Sequence, residues 1–337
     1  MNTGRPTVMN LIGATLEGRY EILALIGEGG MGAVYRARQP NGPDVAIKVL
    51  HEELGDNAAL RERFEREARA LFGLEHPNLL HVVDFGIHEG RPYLAMELLD
   101  GRSLDAIVED GALPPEQAYA LARQVLRGLA FAHANGVVHR DLKAENVFVT
   151  QDAHGQPLAK LLDFGLVKFT DDERWGSSGN LTTQGAIFGT PAYMAPEQCA
   201  GAPVDTRGDV YSAGVILYEL FTGLWPFMEE TRVKMFQAHL SKPPPRLSDA
   251  SADRTFRPEL EAVVAKALAK SPSERFGDAQ EMLAALEAVP QPVSSQGGTA
   301  GAMPARMTRP RTAALLAFFL AAAAIGAALA FSLLGGE

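Results

Sequence analysis

The stretch His139-Arg140-Asp141-Leu142-Lys143-Ala144-Glu145-Asn146 decides how the rest of the chain is interpreted. It places a carboxylate, an ammonium group and a carboxamide on one short loop. Such a set suits phosphoryl transfer: Asp141 accepts or orients the proton of an incoming hydroxyl, Lys143 stabilises charge on the transferring group, and Asn146 binds a metal ion. The stretch agrees with the pattern H-R-D-L-x-x-x-N at every diagnostic position, so chance agreement is very improbable. We interpret His139 as a packed structural residue, because the carboxylate of the loop already serves as the base.

A second metal ligand is expected downstream of this loop. Asp163-Phe164-Gly165 follows Asp141 by 22 positions, and Asp163 is the predicted Mg²⁺ ligand beside Asn146. The same tripeptide also occurs as Asp84-Phe85-Gly86, but it precedes the loop and has the wrong order to converge with Asn146. We therefore interpret Asp84 as a residue near a strand end. Ala195-Pro196-Glu197 closes the segment that begins at Asp163.

Upstream lies a glycine-rich stretch, Gly27-Glu28-Gly29-Gly30-Met31-Gly32-Ala33-Val34, between two strand patterns. Backbone without Cβ atoms can fold closely over a polyphosphate. Taken alone the stretch is weak, since a glycine-rich hairpin or a dinucleotide-binding turn has the same appearance. A dinucleotide fold needs a helix next, whereas a strand follows here.

The strand that follows carries Lys48, whose ammonium group can meet the α- and β-phosphates of a nucleotide. Glu67 comes 19 positions later on an amphipathic helical pattern and can orient that ammonium group. Two plainer interpretations remain open at this point: Lys48 as an exposed edge residue and Glu67 as a surface charge.

Composition excludes several classes of protein. Of the 337 residues 47% are apolar and 21% charged, which is a globular balance. The formal net charge of -10 argues against a nucleic-acid partner. Cys199 is the single cysteine, so neither an intrachain disulfide nor a cysteine-rich metal site can form. Residues 1–13 contain no apolar stretch of the length that a secretory signal needs.

The order of elements predicts an α+β fold with a small β-rich lobe followed by a larger helical lobe. Apolar runs predict strands at residues 22–26, 45–50, 79–83 and 93–99. One helix is predicted among them at 58–74, and later helices at 115–134 and 259–268.

The C-terminal region predicts a membrane anchor. A Pro/Ser/Gly-rich linker at 290–311 precedes residues 312–334, an uncharged run of 23 residues. As a helix this run would rise about 34 Å, enough for a hydrocarbon core of roughly 30 Å. A buried core helix is the competing interpretation. Arg306, Arg309 and Arg311 precede the run and no Lys or Arg follows it, which predicts a single pass with the larger part of the chain in the cytoplasm.

The pair Gly326 and Ala330 would permit close helix contact and a homodimer. In so alanine-rich a segment, however, this pattern arises easily by chance.

From Arg19 to Val289 the chain resembles the eukaryotic-type Ser/Thr protein kinases of bacteria. Besides the motifs above, two further segments are similar in sequence to that family: Gly189-Thr190-Pro191-Ala192-Tyr193-Met194 and Pro272-Ser273-Glu274-Arg275-Phe276. Lys143 and Gly189-Thr190 are typical of its Ser/Thr branch. Ala144 stands where the family often has Pro, at a position with no expected contact to phosphate or metal.

The resemblance implies a bilobal protein kinase fold with one key helix in the N-lobe. It implies a kinase domain at 19–289, with its N-lobe at 19–98 and C-lobe at 102–289. Outside this domain the sequence leaves an N-terminal extension at 1–18, the linker at 290–311, the predicted transmembrane helix at 312–334 and a tail at 335–337.

The resemblance also implies ATP and Mg²⁺ as cofactors, with Mn²⁺ as a possible substitute. The ATP site would comprise Ile26, Gly27, Gly29, Gly32, Val34, Ala46, Lys48, Met96, Glu97, Leu99 and Phe148. Within it Met96 would be the gatekeeper, Glu97 to Leu99 the hinge, and Val34, Ala46 and Phe148 the contacts to adenine.

Structural roles follow from the same resemblance. Asp209 would anchor the catalytic loop from a buried helix, and Arg275 would pair with Glu197. A regulatory spine would consist of Leu71, Val82, His139 and Phe164.

Activation by autophosphorylation is expected at Thr182 or Thr183, where a phosphate would pair with Arg140. The alternative is that these threonines are merely polar loop residues. The expected partners are ATP, protein substrates and the inner (plasma) membrane, and no nucleic acid.

Three hypotheses of function remain to be weighed. An active kinase is favoured because Lys48, Glu67, Asp141, Asn146 and Asp163 all occur in order. A pseudokinase scaffold would have lost one of the essential residues, and none is lost. A small-molecule phosphotransferase would normally lack the Gly-Thr-Pro and Ala-Pro-Glu elements, and both are present.

Overall fold

A computed structural model describes residues 11–29, 32–50, 58–109, 111–164, 191–251 and 254–290. The chain packs into two units. The described residues up to 75, together with 80–101, form the first unit, and residues 76–79 with those from 102 onward form the second.

The first unit is an antiparallel sheet with one helix. Its strand order is β1-β2-β3-β4-β6-β5. The bounds are β1 Thr15–Leu16, β2 Tyr20–Gly29, β3 Gly32–Arg38, β4 Val45–Leu50, β5 Val82–His88 and β6 Arg91–Glu97, with helix α1 at Ala58–Phe72. Strand β4 is buried at five of its six positions, which explains why it appears as a continuous apolar run rather than an alternating one. Helix α1 buries Phe64, Ala68 and Leu71, spaced three or four apart as the helical period requires.

Gly32 is a position where the sheet itself requires glycine. Its φ is +154°, and a Cβ atom there would overlap the carbonyl oxygen of Val49 on the adjacent strand. Gly32 was predicted as a nucleotide contact, but the close approach of β4 excludes any side chain at this position whether or not a nucleotide binds.

The second unit is mostly helical. A small sheet has the order β7-β8-β9, with β7 Arg102–Ser103, β8 Val147–Gln151 and β9 Pro157–Leu161. The helices are α2 Leu104–Val108, α3 Pro115–Ala134, α4 Pro196–Cys199, α5 Thr206–Thr222, α6 Arg232–Ser241, α7 Leu247–Ala250, α8 Pro258–Ala267 and α9 Ala279–Glu287, and short 3₁₀ turns lie at Ala144–Asn146, Pro191–Tyr193 and Pro272–Glu274. Helix α5 is buried from Gly208 to Thr222 on all sides, as expected of a helix at the centre of a unit.

Helix α5 has clear end signals. Its N-cap residue Asp205 accepts a hydrogen bond from the backbone N–H of Arg207 at 2.9 Å. Gly223 ends it with a φ of +73°, a left-handed conformation that a side chain would strain. The buried length of α5 makes it a rigid support for the groups it carries.

Most predicted elements are confirmed, and one was placed wrongly. The predictions at 45–50 and 115–134 match β4 and α3, and those at 58–74 and 259–268 match α1 and α8 within two residues. The strand predicted at 79–83 in fact runs from Val82 to His88. Leu79 instead forms a parallel bridge with Leu161 of β9.

Residues 76–79 consequently lie in the second unit, although the sequence had assigned them to the N-lobe. Asn78 Nδ2 donates to the carbonyl of Ala159 at 2.8 Å, and Asn78 O accepts from Leu161 N–H at 2.9 Å. His76 stacks on Phe131 with ring centroids 4.9 Å apart. These hydrogen bonds to β9, the ring contact to α3 and the burial of Leu79 hold the segment in the second unit.

Asp84 lies inside β5, as its third residue, rather than near a strand end. Its carboxylate forms an ion pair with Arg19 at 2.7 Å and accepts a hydrogen bond from the Tyr20 hydroxyl at 2.9 Å. The second copy of the Asp-Phe-Gly tripeptide thus serves the packing of the first unit.

In the part of the chain that the structure describes, no helix has the length and apolar character needed to cross a bilayer. The span predicted at 312–334 lies outside the described residues.

Candidate active site

The loop from His139 to Asn146 is held by one buried carboxylate on α5. Asp209, only 1% exposed, accepts hydrogen bonds from the backbone N–H groups of His139 at 2.6 Å and Arg140 at 2.8 Å. His133, near the end of α3, places its Nε2 3.0 Å from the same carboxylate. Asp209 thus binds the loop as the resemblance implied, and His133 is an additional hydrogen-bond partner of its carboxylate.

The tautomers of both histidines follow from their neighbours. His133 Nδ1 accepts from the N–H of Ala279 at 3.3 Å, so its Nε2 carries the proton and donates to Asp209. His139 Nε2 lies 2.9 Å from the carbonyl oxygen of Leu162 and therefore donates to it, while its Nδ1 accepts from Asp141 N–H at 3.4 Å.

His139 is fully buried, and burial lowers its pKa despite the nearby carboxylates of Asp209 and Asp141. The ring packs on Phe164 with centroids 4.5 Å apart. A neutral imidazole with both nitrogens hydrogen-bonded to backbone has no lone pair available for a substrate proton, in agreement with its interpretation as a structural residue.

Backbone strain is present at two positions of the site. Arg140 has a φ of +62° and Asp163 a φ of +47°, both in the left-handed region that non-glycine residues rarely adopt. Such conformations persist only where surrounding contacts hold them, and they are frequent at functional sites.

The three functional groups of the loop converge. Lys143 Nζ lies 3.9 Å from Asp141 Oδ2, and Asn146 Nδ2 lies 3.3 Å from the same oxygen. Asn146 Nδ2 also donates to the carbonyl of Asp141 at 2.8 Å. The Asp141 carboxylate is half-buried and therefore remains accessible to an incoming hydroxyl.

The residues present suit a hard divalent cation. Because the Asn146 carboxamide uses its nitrogen to hold Asp141, its oxygen Oδ1 remains as the group for a ligand. The carbonyl of Asn146 accepts from Leu162 N–H at 2.8 Å, which joins it to the residue before Asp163. A carboxamide oxygen and a carboxylate are donors that Mg²⁺ prefers.

The remaining predicted nucleotide residues lie mostly in the first unit. Ile26, Val34, Ala46 and Met96 form one buried apolar cluster, with Leu80 and Leu98 packed against it. Gly27 and Gly29 lie at the end of β2, and Leu99 follows β6. Leu71 and Val82 are buried in this unit, whereas Phe148 is buried in β8 of the second unit.

Two charged residues of the first unit were predicted to act together. Lys48 is half-buried on β4 and Glu67 is half-buried on α1. Glu97, which the resemblance implied as part of the hinge, is held by His81: its N–H donates to His81 O at 3.0 Å and its carboxylate accepts from His81 N–H at 2.8 Å.

The buried pair of Arg275 and Glu197 secures the Ala-Pro-Glu element. The guanidinium donates to both carboxylate oxygens, at 2.7 and 2.8 Å. Its remaining hydrogen bonds go to the carbonyls of Ala269, Arg207 and Lys270. A bidentate pair of this kind fixes α4 relative to the residues around 270. The activation-segment candidates Thr182 and Thr183 lie outside the described residues.

A family model for the protein kinase domain matches residues 20–286. The chain belongs to the protein kinase family. Its kinase domain is similar to serine/threonine-protein kinase pkn3 of Myxococcus xanthus, with 40% identity over 287 residues, covering 84% of this chain and 52% of that protein. It is also 40% identical over 281 residues to serine/threonine-protein kinase pkn2 of the same organism, covering 83% of this chain and 33% of that protein. The chain thus spans about a third to a half of the length of these relatives.

Among solved structures, the kinase domain of PknI from Mycobacterium tuberculosis is similar to this kinase domain. The TM-score is 0.63 at 30% identity, over 82% of this chain and 97% of that chain. The α+β fold predicted from the sequence, with a β-rich lobe and a helical lobe, is therefore confirmed.

Sequence reasoning missed several polar residues around the site. His133 binds Asp209, and Gln198 binds the catalytic loop. Glu219, 7% exposed, accepts from the Tyr193 hydroxyl at 2.6 Å and from Trp225 Nε1 at 2.9 Å. Burial raises the pKa of Glu219 to about 7. The pairs His133–Asp209, Gln198–Arg140 and Glu219–Tyr193 join residues that are 26 to 76 positions apart on the chain. No local sequence pattern therefore points to these contacts.

Proposed function

We propose that this kinase domain transfers the γ-phosphoryl group of ATP to Ser or Thr hydroxyls of proteins. The observation that carries the proposal is the convergence of Lys143 and Asn146 on the carboxylate of Asp141, in a loop secured by the buried Asp209. The Ser/Thr kinase names of the relatives support the choice of acceptor.

In the proposed reaction Asp141 accepts the proton of the substrate hydroxyl while the hydroxyl oxygen attacks the γ-phosphorus and ADP leaves. Lys143, next to Asp141, stabilises negative charge on the transferring group. Asn146 and Asp163 would hold Mg²⁺, which supplies neutralisation of the phosphate charges. Lys48, oriented by Glu67, would bind the α- and β-phosphates.

The experiment measures ATP-dependent phosphate transfer to a generic basic protein in Mg²⁺ or Mn²⁺. Asp141→Asn and Lys48→Met should nearly abolish transfer, because each removes an interaction that acts chiefly in the transition state. Full activity of Lys48→Met would contradict the assignment. A pseudokinase scaffold would show ATP binding by the wild type without any phosphoprotein product.

We further propose autophosphorylation at Thr182 or Thr183. A phosphate dianion there would form charge-assisted hydrogen bonds with Arg140, which adjoins Asp141 and has a strained backbone. Mass spectrometry of the active wild type tests this, and an unmodified segment in a fully active sample would refute it.

Membrane attachment through residues 312–334, with the kinase domain in the cytoplasm, is also a proposal. It is supported by the length of the uncharged run and by the arginines that precede it. Fractionation of the full chain against a version that ends at Val289 provides the test. If both were recovered equally in the soluble fraction without detergent, the anchor would be untenable. The proposed homodimer through Gly326 and Ala330 would be tested by measuring the oligomeric state of the full chain after extraction in detergent.

A further inference from the structure

Gln198 of α4 connects the Ala-Pro-Glu element to the catalytic loop. Its Nε2 donates to the carbonyl oxygen of Arg140 at 2.8 Å, and its Oε1 accepts from the backbone N–H of Ala195 at 2.9 Å. The side chain lines the same depression as Asp141 and Lys143. One carboxamide thus supplies a donor to the loop and an acceptor to the start of its own helix.

The hydrogen bond to Arg140 acts at a strained point of the backbone. Arg140 has a φ of +62°, and such a conformation needs external support to persist. Asp209 holds the N–H of Arg140 from α5, and Gln198 holds its carbonyl from α4. The two peptide groups flanking this Cα atom are therefore each fixed by a side chain from a different helix.

The carbonyl of Arg140 and the N–H of Asp141 belong to the same planar peptide unit. Fixing the direction of the carbonyl therefore fixes the plane of the peptide group that joins Arg140 to Asp141. The N–H of Asp141, in the same plane, donates to His139 Nδ1 at 3.4 Å. Gln198 itself is held in place, because its neighbour Glu197 is bound bidentately by Arg275.

We propose that Gln198 is a positioning residue, which orients Asp141 for phosphoryl transfer by holding the carbonyl of Arg140. This inference rests on the proposed kinase function. It assigns to α4, beyond its pairing with Arg275, a direct influence on the turnover rate.

Two substitutions separate the two hydrogen bonds of Gln198. Gln198→Glu keeps an acceptor for Ala195 N–H but places a carboxylate against the carbonyl of Arg140. Gln198→Lys keeps a donor for that carbonyl but removes the acceptor for Ala195. A positioning role predicts that the glutamate variant loses turnover and that the lysine variant mainly loses thermal stability.

Gln124 provides a matched control in the same unit. It is also half-buried, donates through Nε2 to the carbonyl of Pro157 at 3.0 Å and accepts at Oε1 from Ala159 N–H at 2.8 Å. Gln124→Glu therefore makes the same chemical change at a carbonyl outside the catalytic loop.

The experiment measures kcat, KM for ATP and thermal stability of the full 337-residue chain, with a generic basic protein as acceptor. We expect Gln198→Glu to lower kcat about tenfold or more with KM for ATP changed less than about twofold, since the change removes a hydrogen bond to the loop and places a carboxylate against the carbonyl of Arg140. Gln198→Lys should retain most of kcat. Gln124→Glu should lose stability while kcat is retained.

If Gln198→Glu kept the kcat of the wild type, the inference would be overturned while the proposed kinase function would stand. An equal loss of kcat in Gln198→Glu and Gln124→Glu would have the same consequence, because it would indicate general destabilisation. A larger loss of kcat in the lysine variant than in the glutamate variant would also overturn it. A wild-type chain without any transfer activity would overturn the proposed function, and the inference with it.

Discussion

Replacing Asp209 by Asn should disable the catalytic loop while leaving the size of the side chain almost unchanged. In the wild type the carboxylate accepts from three donors: the N–H groups of His139 and Arg140 and the Nε2–H of His133. An Asn side chain offers one acceptor oxygen, and its NH₂ group would face donors. At least one donor would then be buried without an acceptor.

The magnitude follows from these contacts. A hydrogen bond to a charged group contributes about 1.5–3 kcal/mol, and removing one partner of a buried charged network costs about 3–5 kcal/mol. We expect Asp209→Asn to lower the free energy of unfolding by about 3 kcal/mol or more. We also expect kcat to fall at least about 100-fold, because the peptides that precede Asp141 lose their anchor.

Urea unfolding gives the change in stability, provided that the slope with denaturant stays constant. Phosphate transfer is measured at a temperature at which both proteins are folded. Asp205→Asn is the matched control, since it makes the same change at the exposed N-cap of the same helix. Asn caps as well as Asp, and only an exposed ion pair with Arg207 is lost, so less than about 1 kcal/mol is expected. If Asp209→Asn matched this control in stability and in kcat, the anchoring argument would be refuted.

Three further predictions concern other contacts. Asp163→Asn should abolish phosphate transfer with little change in the free energy of unfolding. Asp84→Asn should keep phosphate transfer and lower the free energy of unfolding by about 1 kcal/mol. Comparable transfer by both variants would contradict the distinction between the two tripeptides. Arg275→Met should lower the free energy of urea unfolding by about 3–5 kcal/mol, whereas Arg127→Met, at an exposed ion pair, should change it by less than about 1 kcal/mol. The raised pKa of Glu219, about 7 in the folded protein, favours its protonated form, so its contribution to stability is greatest at low pH and is lost as the pH rises through about 7. The wild type should therefore lose unfolding free energy between about pH 5 and pH 8, and in Glu219→Gln this loss should be smaller by about 1–3 kcal/mol. Urea titration of both proteins at the two pH values measures the difference.

Much of the fold could be predicted because its signals are local. Helix α3 has Pro115 at its start and a sustained apolar period, and its predicted bounds were correct. The spacing of Asp141, Lys143 and Asn146 on one loop was sufficient to predict that their side chains act together, and the structure brings them together. Each of these signals is complete within about twenty consecutive residues.

The segment around Leu79 shows where this reasoning failed. Its apolar run is compatible with a strand, yet the chain places Leu79 beside Leu161 and Asn78 beside Ala159, 81 residues further on. A strand pattern states that a backbone needs partners, but it does not identify them. The partner was decided by which sheet edge the folded second unit offered.

The sequence by itself determined which chemical groups this kinase domain can use and in what order they occur, because the motifs are contiguous and their roles follow from residue type. Only the tertiary structure decided what holds those groups in place. Asp209 and Gln198 bind the loop from two separate helices and together support the left-handed backbone of Arg140, and His133 of a third helix binds Asp209. Buried hydrogen bonds need their partners within about 3 Å, and such closeness between residues 58 to 76 positions apart arises only when the whole unit has packed.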